Sequence, residues 1–122
     1  MSDPSRPTAI ELALVPRPAE LRMHERRRFL LDLVVTNRGD EPIDPSLDGA
    51  RLSINGEDSV YFALALSNGI RDRSRRLLPS QTATNTWPNM GRSLFPRPGD
   101  YTLELSLGEV TAPAVLVRVR RW

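Results

Sequence analysis

Residues 29–36 read FLLDLVVT, and residues 101–107 read YTLELSL. In both stretches a large apolar side chain stands at every second position, as at Phe29, Leu31 and Leu33 in the first. Successive side chains of a β-strand point to opposite faces of the sheet, so this alternation predicts a strand with one buried face. Both stretches are therefore predicted to be half-buried strands.

The same alternation recurs along the rest of the chain, between residues that favour turns. Further strands are predicted at residues 10–15, 51–55, 60–66, 82–87 and 115–120. Residues 60–66 also suit a helix, but the dipeptides Asn55-Gly56 and Asn68-Gly69 on either side accept the positive φ angles of tight hairpins and favour a strand. No stretch has the pattern of a convincing amphipathic helix. About seven or eight short strands predict an all-β fold, an immunoglobulin-like antiparallel β-sandwich.

The apolar faces of these strands predict the core. Its predicted members are Phe29, Leu31, Leu33, Val35, Leu52, Ile54, Phe62, Trp87, Tyr101, Leu103, Leu105, Val117 and Val119. Tyr101 follows Pro98-Gly99-Asp100, a sequence typical of the corner before the penultimate strand of immunoglobulin-like sandwiches, where a tyrosine hydroxyl bonds to nearby backbone. The hydroxyl of Tyr101 is therefore predicted to be buried and hydrogen-bonded.

Four segments carry a resemblance to a known family. They are LDLVVTNRGDEPI at residues 31–43, SVYFALALSNG at 59–69, LPSQTATNTWPNMG at 78–91 and FPRPGDYTLELSL at 95–107. In this order they resemble the bacterial intracellular proteinase inhibitor family, often called BsuPI. The resemblance implies an immunoglobulin-like fold and proteinase inhibition. It assigns no functional residue, because residues 70–76 read IRDRSRR where that family usually has aromatic residues.

The composition bounds the domain count and the chemistry. The 122 residues include no cysteine, and all 17 basic residues are arginine. This length suits one domain, predicted over residues 9–122 after a flexible tail at residues 1–8. The missing cysteine excludes disulfides, thiolate zinc sites and cysteine nucleophiles, and the missing lysine excludes Schiff-base chemistry. With no signal-peptide pattern and no apolar run long enough for a membrane span, a cytoplasmic location without membrane contact is predicted.

Few side chains could carry catalysis or hold a metal. His24 is the only histidine, and it lies among arginines without a nucleophile motif, so the chain is predicted not to be an enzyme and to use no cofactor. The acidic residues Asp40, Glu41, Asp44 and Asp48 could supply oxygen ligands to calcium. Their spacing matches no EF-hand, and a solvated turn is the favoured interpretation.

The most prominent charged feature is the segment of residues 71–97. Six arginines stand there against one aspartate, which gives a net charge of +5, whereas residues 1–50 carry −2. The six are Arg71, Arg73, Arg75, Arg76, Arg92 and Arg97. Guanidinium groups bind carboxylates and phosphates with two parallel hydrogen bonds, so these arginines are the predicted partner-binding residues. Arg118 and Arg120, on the last strand, are instead predicted to face outward and discourage edge pairing.

The leading functional prediction is a module that contacts an acidic protein partner. Trp87, Met90 and Phe95 lie among the arginines, and protein interfaces favour aromatic, Met and Arg side chains together. Nucleic acid is less favoured, because no rings suited to base stacking are interleaved in residues 71–76. Three alternatives stay open. They are a proteinase inhibitor whose loop at residues 67–77 enters the enzyme, anion or nucleic-acid binding through the arginine-rich loop, and a solvated loop with Trp87 and Phe95 in the core.

Overall fold

The alternating stretches form the strands of two packed β-sheets. The computed structural model describes residues 10–43, 50–63, 77–88 and 90–121. The first sheet has three antiparallel strands in the order β1 (Ile10–Arg17), β3 (Leu30–Asn37) and β6 (Thr82–Pro88). In its register Leu33 lies opposite Leu14 on one side and Asn85 on the other. Strand β3 is therefore the centre of this sheet.

The second sheet contains six strands of the described chain. Five follow one another in the order β2 (Glu20–Arg22), β9 (Val115–Arg120), β7 (Gly99–Leu107), β4 (Ala50–Ile54) and β5 (Glu57–Asp58), and β8 (Val110–Thr111) also pairs with β7. Strand β2 runs parallel to β9, and the other pairs are antiparallel. Together the two sheets form the all-β sandwich that the alternation predicted.

Apolar side chains from both sheets fill the space between them. Of the predicted core residues, all are buried except Ile54 and Tyr101, which are half-buried and pack against the core. The core also contains buried residues that were not predicted. They are Leu12 and Leu14 from β1 and, mostly from short strands, helices and turns, Leu21, Ala50, Leu77, Met90, Leu94, Phe95 and Ala112. These short segments cannot display a period in the sequence.

The prediction of a strand at residues 60–66 is wrong for the part that is described, because residues 60–63 are helical. The hydroxyl of Ser59 accepts a hydrogen bond from the backbone N–H of Phe62 at 3.2 Å, which is how a serine begins a helix. Phe62 is 1% exposed and Val60 is 67% exposed, although alternation would have placed both on one face. The serine cap therefore stabilises the first turn of this helical segment.

The hairpin dipeptide Asn55-Gly56 does form the tight turn between β4 and β5. Both residues have positive φ angles, 53° for Asn55 and 87° for Gly56, as this turn type requires. The side chain of Asn55 also accepts a hydrogen bond from the backbone N–H of Thr102 at 2.8 Å. The second dipeptide, Asn68-Gly69, lies outside the described residues.

Two short helices, which the sequence did not predict, pack against each other at one end of the sandwich. A 3-10 helix spans Met23–Arg28, and an α-helix spans Gly91–Leu94. A Cβ atom at Gly91 would lie 2.2 Å from the carbonyl oxygen of Arg26, so only glycine permits this approach. No helix in the described ranges is long and apolar enough to cross a bilayer.

The corner at Tyr101 fixes the loop that follows the α-helix. The tyrosine hydroxyl donates a hydrogen bond to the carbonyl oxygen of Arg97 at 2.6 Å and accepts one from the N–H of Arg97 at 3.2 Å. The ring packs against Phe95, with 4.9 Å between centroids. The predicted hydrogen bond is confirmed, but Tyr101 is half-buried rather than buried, because its ring covers the edge of the core while its hydroxyl reaches a surface loop.

At the end of the sandwich opposite the Tyr101 corner, the buried side-chain amide of Asn37 links three backbone positions in the loops. Asn37 is completely buried, and its Nδ2 donates hydrogen bonds to the carbonyl oxygens of Glu41 and Leu77, both at 2.9 Å. Its Oδ1 accepts a hydrogen bond from the N–H of Gly39 at 2.8 Å. The turn after β3 is therefore tied to the chain that enters β6.

Arg118 and Arg120 face outward as predicted, but they do not protect a sheet edge. Strand β9 lies between β2 and β7, so it is not an edge strand. The two guanidinium groups pair instead with Asp100 at 3.8 Å and Glu20 at 2.6 Å on the neighbouring strands. Their role is to connect adjacent strands across the outer face of the sheet.

Candidate functional site

Arginines from three separate chain segments meet at one end of the sandwich. The segments are the 3-10 helix with the residue before it, the α-helix with the loop after it, and the end of β9. We call this surface the basic end and define it by Arg22, Arg26, Arg27, Arg28, Arg92, Arg97 and Arg121. The contact of Gly91 with Arg26 and a hydrogen bond from Arg26 Nη1 to the carbonyl oxygen of Phe95, at 3.0 Å, bring the first two segments together.

The basic end carries a dense positive charge. Its seven arginines stand against Glu25, the one acidic residue within 22–28, 91–97 and 121, for a formal charge of +6. The Glu25 carboxylate accepts a hydrogen bond from the backbone N–H of Arg22 at 2.8 Å, so it is engaged in capping the 3-10 helix. The exposed guanidinium groups of Arg27, Arg28 and Arg92 form no hydrogen bond or ion pair with any described residue. They are available to an anionic ligand.

The strand arginines behave differently, because most are paired. Arg17 lies 2.7 Å from a carboxylate oxygen of Asp32, and Arg38 lies 3.0 Å from one of Glu11. Hydrogen bonding to Arg38, together with its charge, lowers the pKa of Glu11. Charge neutralisation across the sheets therefore leaves the basic end as the surface with the largest excess of positive charge among the described residues.

Asp32 is a buried carboxylate that is held by one hydroxyl group and one guanidinium group. It lies on the outer side of β3 with 7% of its surface exposed. The hydroxyl of Thr86 donates a hydrogen bond to it at 2.6 Å, and Arg17 Nη2 donates another at 3.2 Å. Burial raises the pKa of Asp32, but the hydrogen bonds from Thr86 and Arg17 and the charge of Arg17 outweigh burial, so the pKa lies below its ordinary value. This is a structural ion pair rather than a reactive acid.

A shallow apolar hollow lies within the basic end. Met23, His24, Pro98 and Arg121 line a volume of about 490 Å³, and the lining is mainly apolar. The hollow thus places an apolar surface within the basic end, which also carries the exposed arginines Arg27, Arg28 and Arg92.

A second hollow, on the outer face of the second sheet, has a mixed lining. Its volume is about 290 Å³, and it is lined by Arg51, Ser53, Asp58, Glu104, Ser106 and Thr111. A cation and two carboxylates at the same place give no preference for one sign of ligand charge. The charges that line this hollow therefore indicate no particular class of ligand, unlike those of the basic end.

The acidic turn predicted as a possible calcium site is only partly described. Asp40 and Glu41 are exposed, and Asp44 and Asp48 lie outside the described residues. Within the described part of the chain, no three His, Cys, Asp or Glu side chains are grouped to hold a metal ion. The calcium hypothesis stays a prediction.

The predicted arginine site is divided by the structure. Arg92 and Arg97 are exposed members of the basic end, whereas Arg71, Arg73, Arg75 and Arg76 lie outside the described residues. Trp87, Met90 and Phe95 are buried at 3%, 6% and 0% exposure, so they belong to the core and not to an interface. Their inward position on β6 and around the α-helix explains the error.

Sequence reasoning missed the other half of the site. Arg26, Arg27 and Arg28 follow one another in the 3-10 helix, and Arg121 follows the last strand. The run MHERRR at residues 23–28 was a visible signal of local charge. Nothing in the sequence indicated that this run lies beside Arg92 and Arg97.

Comparisons with known proteins establish similarity at the level of fold. No protein family matches the sequence, and no curated protein is similar to it in sequence. The solution structure of the CARDB domain of a Pyrococcus furiosus protein has a TM-score of 0.54 and 15% identity, covering 93% of this chain and 96% of that one. A crystal structure of that domain in complex with di-metal ions has a TM-score of 0.52 and 16% identity, over 91% and 92% of the two chains.

A similar domain also occurs within a larger enzyme. The alkylpurine DNA glycosylase AlkC of Pseudomonas fluorescens, bound to DNA containing an abasic site analogue, matches with a TM-score of 0.55 and 13% identity. The match covers 92% of this chain but 30% of the glycosylase. No family or sequence match supports the proteinase inhibitor family specifically. At such identities the shared feature is the fold, an immunoglobulin-like β-sandwich.

Proposed function

We propose that this domain is a non-enzymatic binding module whose basic end contacts an acidic segment of a protein partner. The observation that supports it is the formal charge of +6 gathered from three chain segments, with exposed guanidinium groups that have no partner among the described residues. Arginine binds carboxylates with two parallel hydrogen bonds, and a rigid sandwich end holds several such groups in fixed positions. An acidic peptide is therefore the ligand whose charge complements this surface.

A nucleic acid fits the same surface less well. Sites for single strands stack bases on exposed aromatic rings, whereas, of the described aromatic residues, Phe29 and Phe95 beneath the basic end are completely buried. The half-buried Tyr101 packs its ring against Phe95, with its hydroxyl bonded to the loop. The opposite end of the sandwich carries Asp40 and Glu41, so positive charge does not extend along the molecule as a duplex would favour.

Proteinase inhibition, implied by the resemblance to BsuPI, stays an alternative prediction. Its proposed loop at residues 67–77 lies outside the described residues except for Leu77, which is buried and paired with Ile43. A stoichiometric titration of a serine proteinase tests this alternative. Slowed hydrolysis with an uncut domain would support it, and rapid cleavage within residues 71–76 would exclude it.

Charge reversal at the basic end tests the proposed function directly. The triple variant Arg27→Glu, Arg28→Glu and Arg92→Glu should bind a fluorescent peptide of alternating glutamate and glycine at least tenfold more weakly than the wild type. Exposed charge pairs contribute about 0.2–1 kcal/mol each, and a reversal replaces that attraction by a repulsion of similar size, so three reversals lose about 1.2–6 kcal/mol, which is roughly tenfold or more in Kd. All three side chains are exposed, so the melting temperature should change little.

A control that reverses charges elsewhere separates the site from the overall field. The double variant Arg38→Glu and Arg51→Glu places its exposed reversals in the loop after β3 and on the outer face of the second sheet. Peptide affinity in this control should stay within about threefold of the wild type, because charges beyond a Debye length of about 8 Å are largely screened. Equal losses in both variants, or tighter binding of random duplex DNA than of the peptide at physiological salt, would contradict the proposal.

A further inference from the structure

The apolar hollow stands where an acidic peptide would lie on the basic end. Its wall residue Pro98 directly follows Arg97, and Arg121 is itself part of the lining. Charge alone gives a weak contact, since each ion pair at an exposed surface contributes only about 0.2–1 kcal/mol. An apolar recess beside the charges adds a contact that depends on the side chain offered.

We propose that the basic end selects an acidic segment that inserts one apolar side chain into the hollow between Met23 and Pro98. This inference rests on the proposed function, since it names the sequence chemistry of the same partner. Glutamates or aspartates on either side of the apolar residue pair with the surrounding arginines. The apolar side chain leaves water by entering the recess, which is the non-directional contribution that ion pairs cannot supply.

The two walls are held in place before any ligand arrives. The carbonyl oxygen of Met23 accepts a hydrogen bond from Arg26 Nε at 2.8 Å, and its side chain packs against the core. Pro98 follows Arg97, whose N–H and carbonyl oxygen both bond to the hydroxyl of Tyr101. A recess built from fixed backbone costs little entropy on binding, which favours a pre-organised site.

The lining is suited to an apolar side chain. Met23 supplies a polarisable thioether that makes favourable contacts with aromatic rings, and Pro98 supplies a rigid ring. The methylene groups of Arg121 add apolar surface to the lining. A second copy of this chain is a poor occupant, because two basic ends of the same charge repel each other.

Paired peptides test this selection. One probe is an acidic peptide with a single phenylalanine between glutamates, and its counterpart has alanine at that position. The wild type should bind the phenylalanine peptide about tenfold more tightly, as expected when part of a large apolar side chain leaves water. Fluorescence anisotropy at physiological salt gives the affinity for each peptide. The affinity ratio, phenylalanine peptide over alanine peptide, is then compared between protein variants.

Substitutions of the residues that line the hollow test whether the phenylalanine side chain binds there. Met23→Gln keeps the length of the side chain but makes it polar, and the affinity ratio should fall close to one. Val60→Gln is the matched control, because Val60 is an exposed apolar residue that does not line the hollow, and its ratio should equal the wild type's. Pro98→Ser, at an exposed position, gives the same test if the half-buried Met23 proves necessary for folding.

The outcomes separate the two proposals. Equal affinity of the wild type for both peptides, with binding that still depends on Arg27, Arg28 and Arg92, would overturn the apolar selection and leave the proposed function standing. A tenfold ratio that survives both Met23→Gln and Pro98→Ser would also overturn it. Binding of neither peptide would overturn both proposals, as would tighter binding to phosphatidylglycerol vesicles than to the phenylalanine peptide.

Discussion

Replacing Asn37 with aspartate exchanges one amide for a carboxyl group of the same shape at a completely buried position. The new group keeps an oxygen that can accept the N–H of Gly39. It loses the NH2 group that donates to the carbonyl oxygens of Glu41 and Leu77. Asn37→Asp therefore breaks the side-chain connections that close this end of the sandwich, without opening a cavity.

The size of the effect depends on the protonation state of the introduced carboxyl. When protonated, it can still donate one hydrogen bond, so about one bond is lost at a cost of about 1 kcal/mol. When ionised, it faces two carbonyl oxygens without access to water, which raises its pKa in the folded state. A rise of about two units adds about 2.7 kcal/mol, so the expected loss at neutral pH is about 4 kcal/mol.

The direction of the pH dependence follows from that raised pKa. An aspartate in the unfolded chain ionises near pH 3.9. As the pH rises, the unfolded state of Asn37→Asp releases its proton before the folded state does, so its stability falls from about pH 4 up to the raised pKa and is level above it. The wild type has no titrating group at this position and lacks this fall.

Urea unfolding followed by circular dichroism, at pH values from about 4 to 8, measures the difference. Asn55→Asp is the matched control, because Asn55 is exposed and aspartate tolerates its φ of 53°. The control should differ from the wild type by less than about 1 kcal/mol at every pH. If Asn37→Asp unfolds at the same urea concentration as the control across this range, the buried amide does not hold the loops together.

Three further predictions concern other contacts. Tyr101→Phe removes both hydrogen bonds to the backbone of Arg97 and should lower the free energy of unfolding by about 1 kcal/mol, and coincident denaturant curves would contradict the corner. Gly91→Ala places a Cβ 2.2 Å from the carbonyl oxygen of Arg26 and should cost about 2 kcal/mol or more in the same assay, and an unchanged midpoint would show that the helices separate freely. The pKa of Asp32 is lowered in the fold, so the contribution of its ionised form to the free energy of unfolding is present above about pH 4 and is lost as the pH falls through the folded pKa. The curves of unfolding free energy against pH for the wild type and Asp32→Asn should therefore converge in acid. Parallel curves would contradict this prediction.

Strand positions were predictable because alternation is a property of neighbouring residues. The last strand, Val115–Arg120, has the predicted bounds, and the strand at Thr82–Pro88 is one residue longer than predicted. Successive side chains of a strand point to opposite faces of the sheet, whichever strand it pairs with. The alternation can therefore be recognised in the sequence before the pairing is known. The identity of the buried face followed from the same signal.

The helical residues 60–63 mark where that signal fails. Apolar residues recur there at every second position, but Ser59 caps a helix and Phe62 alone turns inward. A short apolar run is compatible with either period, and the tertiary environment of Phe62, whose ring lies 5.1 Å from that of Trp87, selects between them. Local sequence could not weigh a contact with a strand that comes later in the chain.

The sequence by itself determined the all-β class, the core faces of the long strands and the absence of cysteine and lysine chemistry, because composition and nearest-neighbour patterns suffice for these. Only the tertiary structure decided where the positive charge gathers. Arg26 and the backbone of Phe95 are 69 positions apart in the chain, yet a hydrogen bond of 3.0 Å joins them. A charged surface depends on distances in space, and those distances are set by how the two sheets and their connecting helices pack.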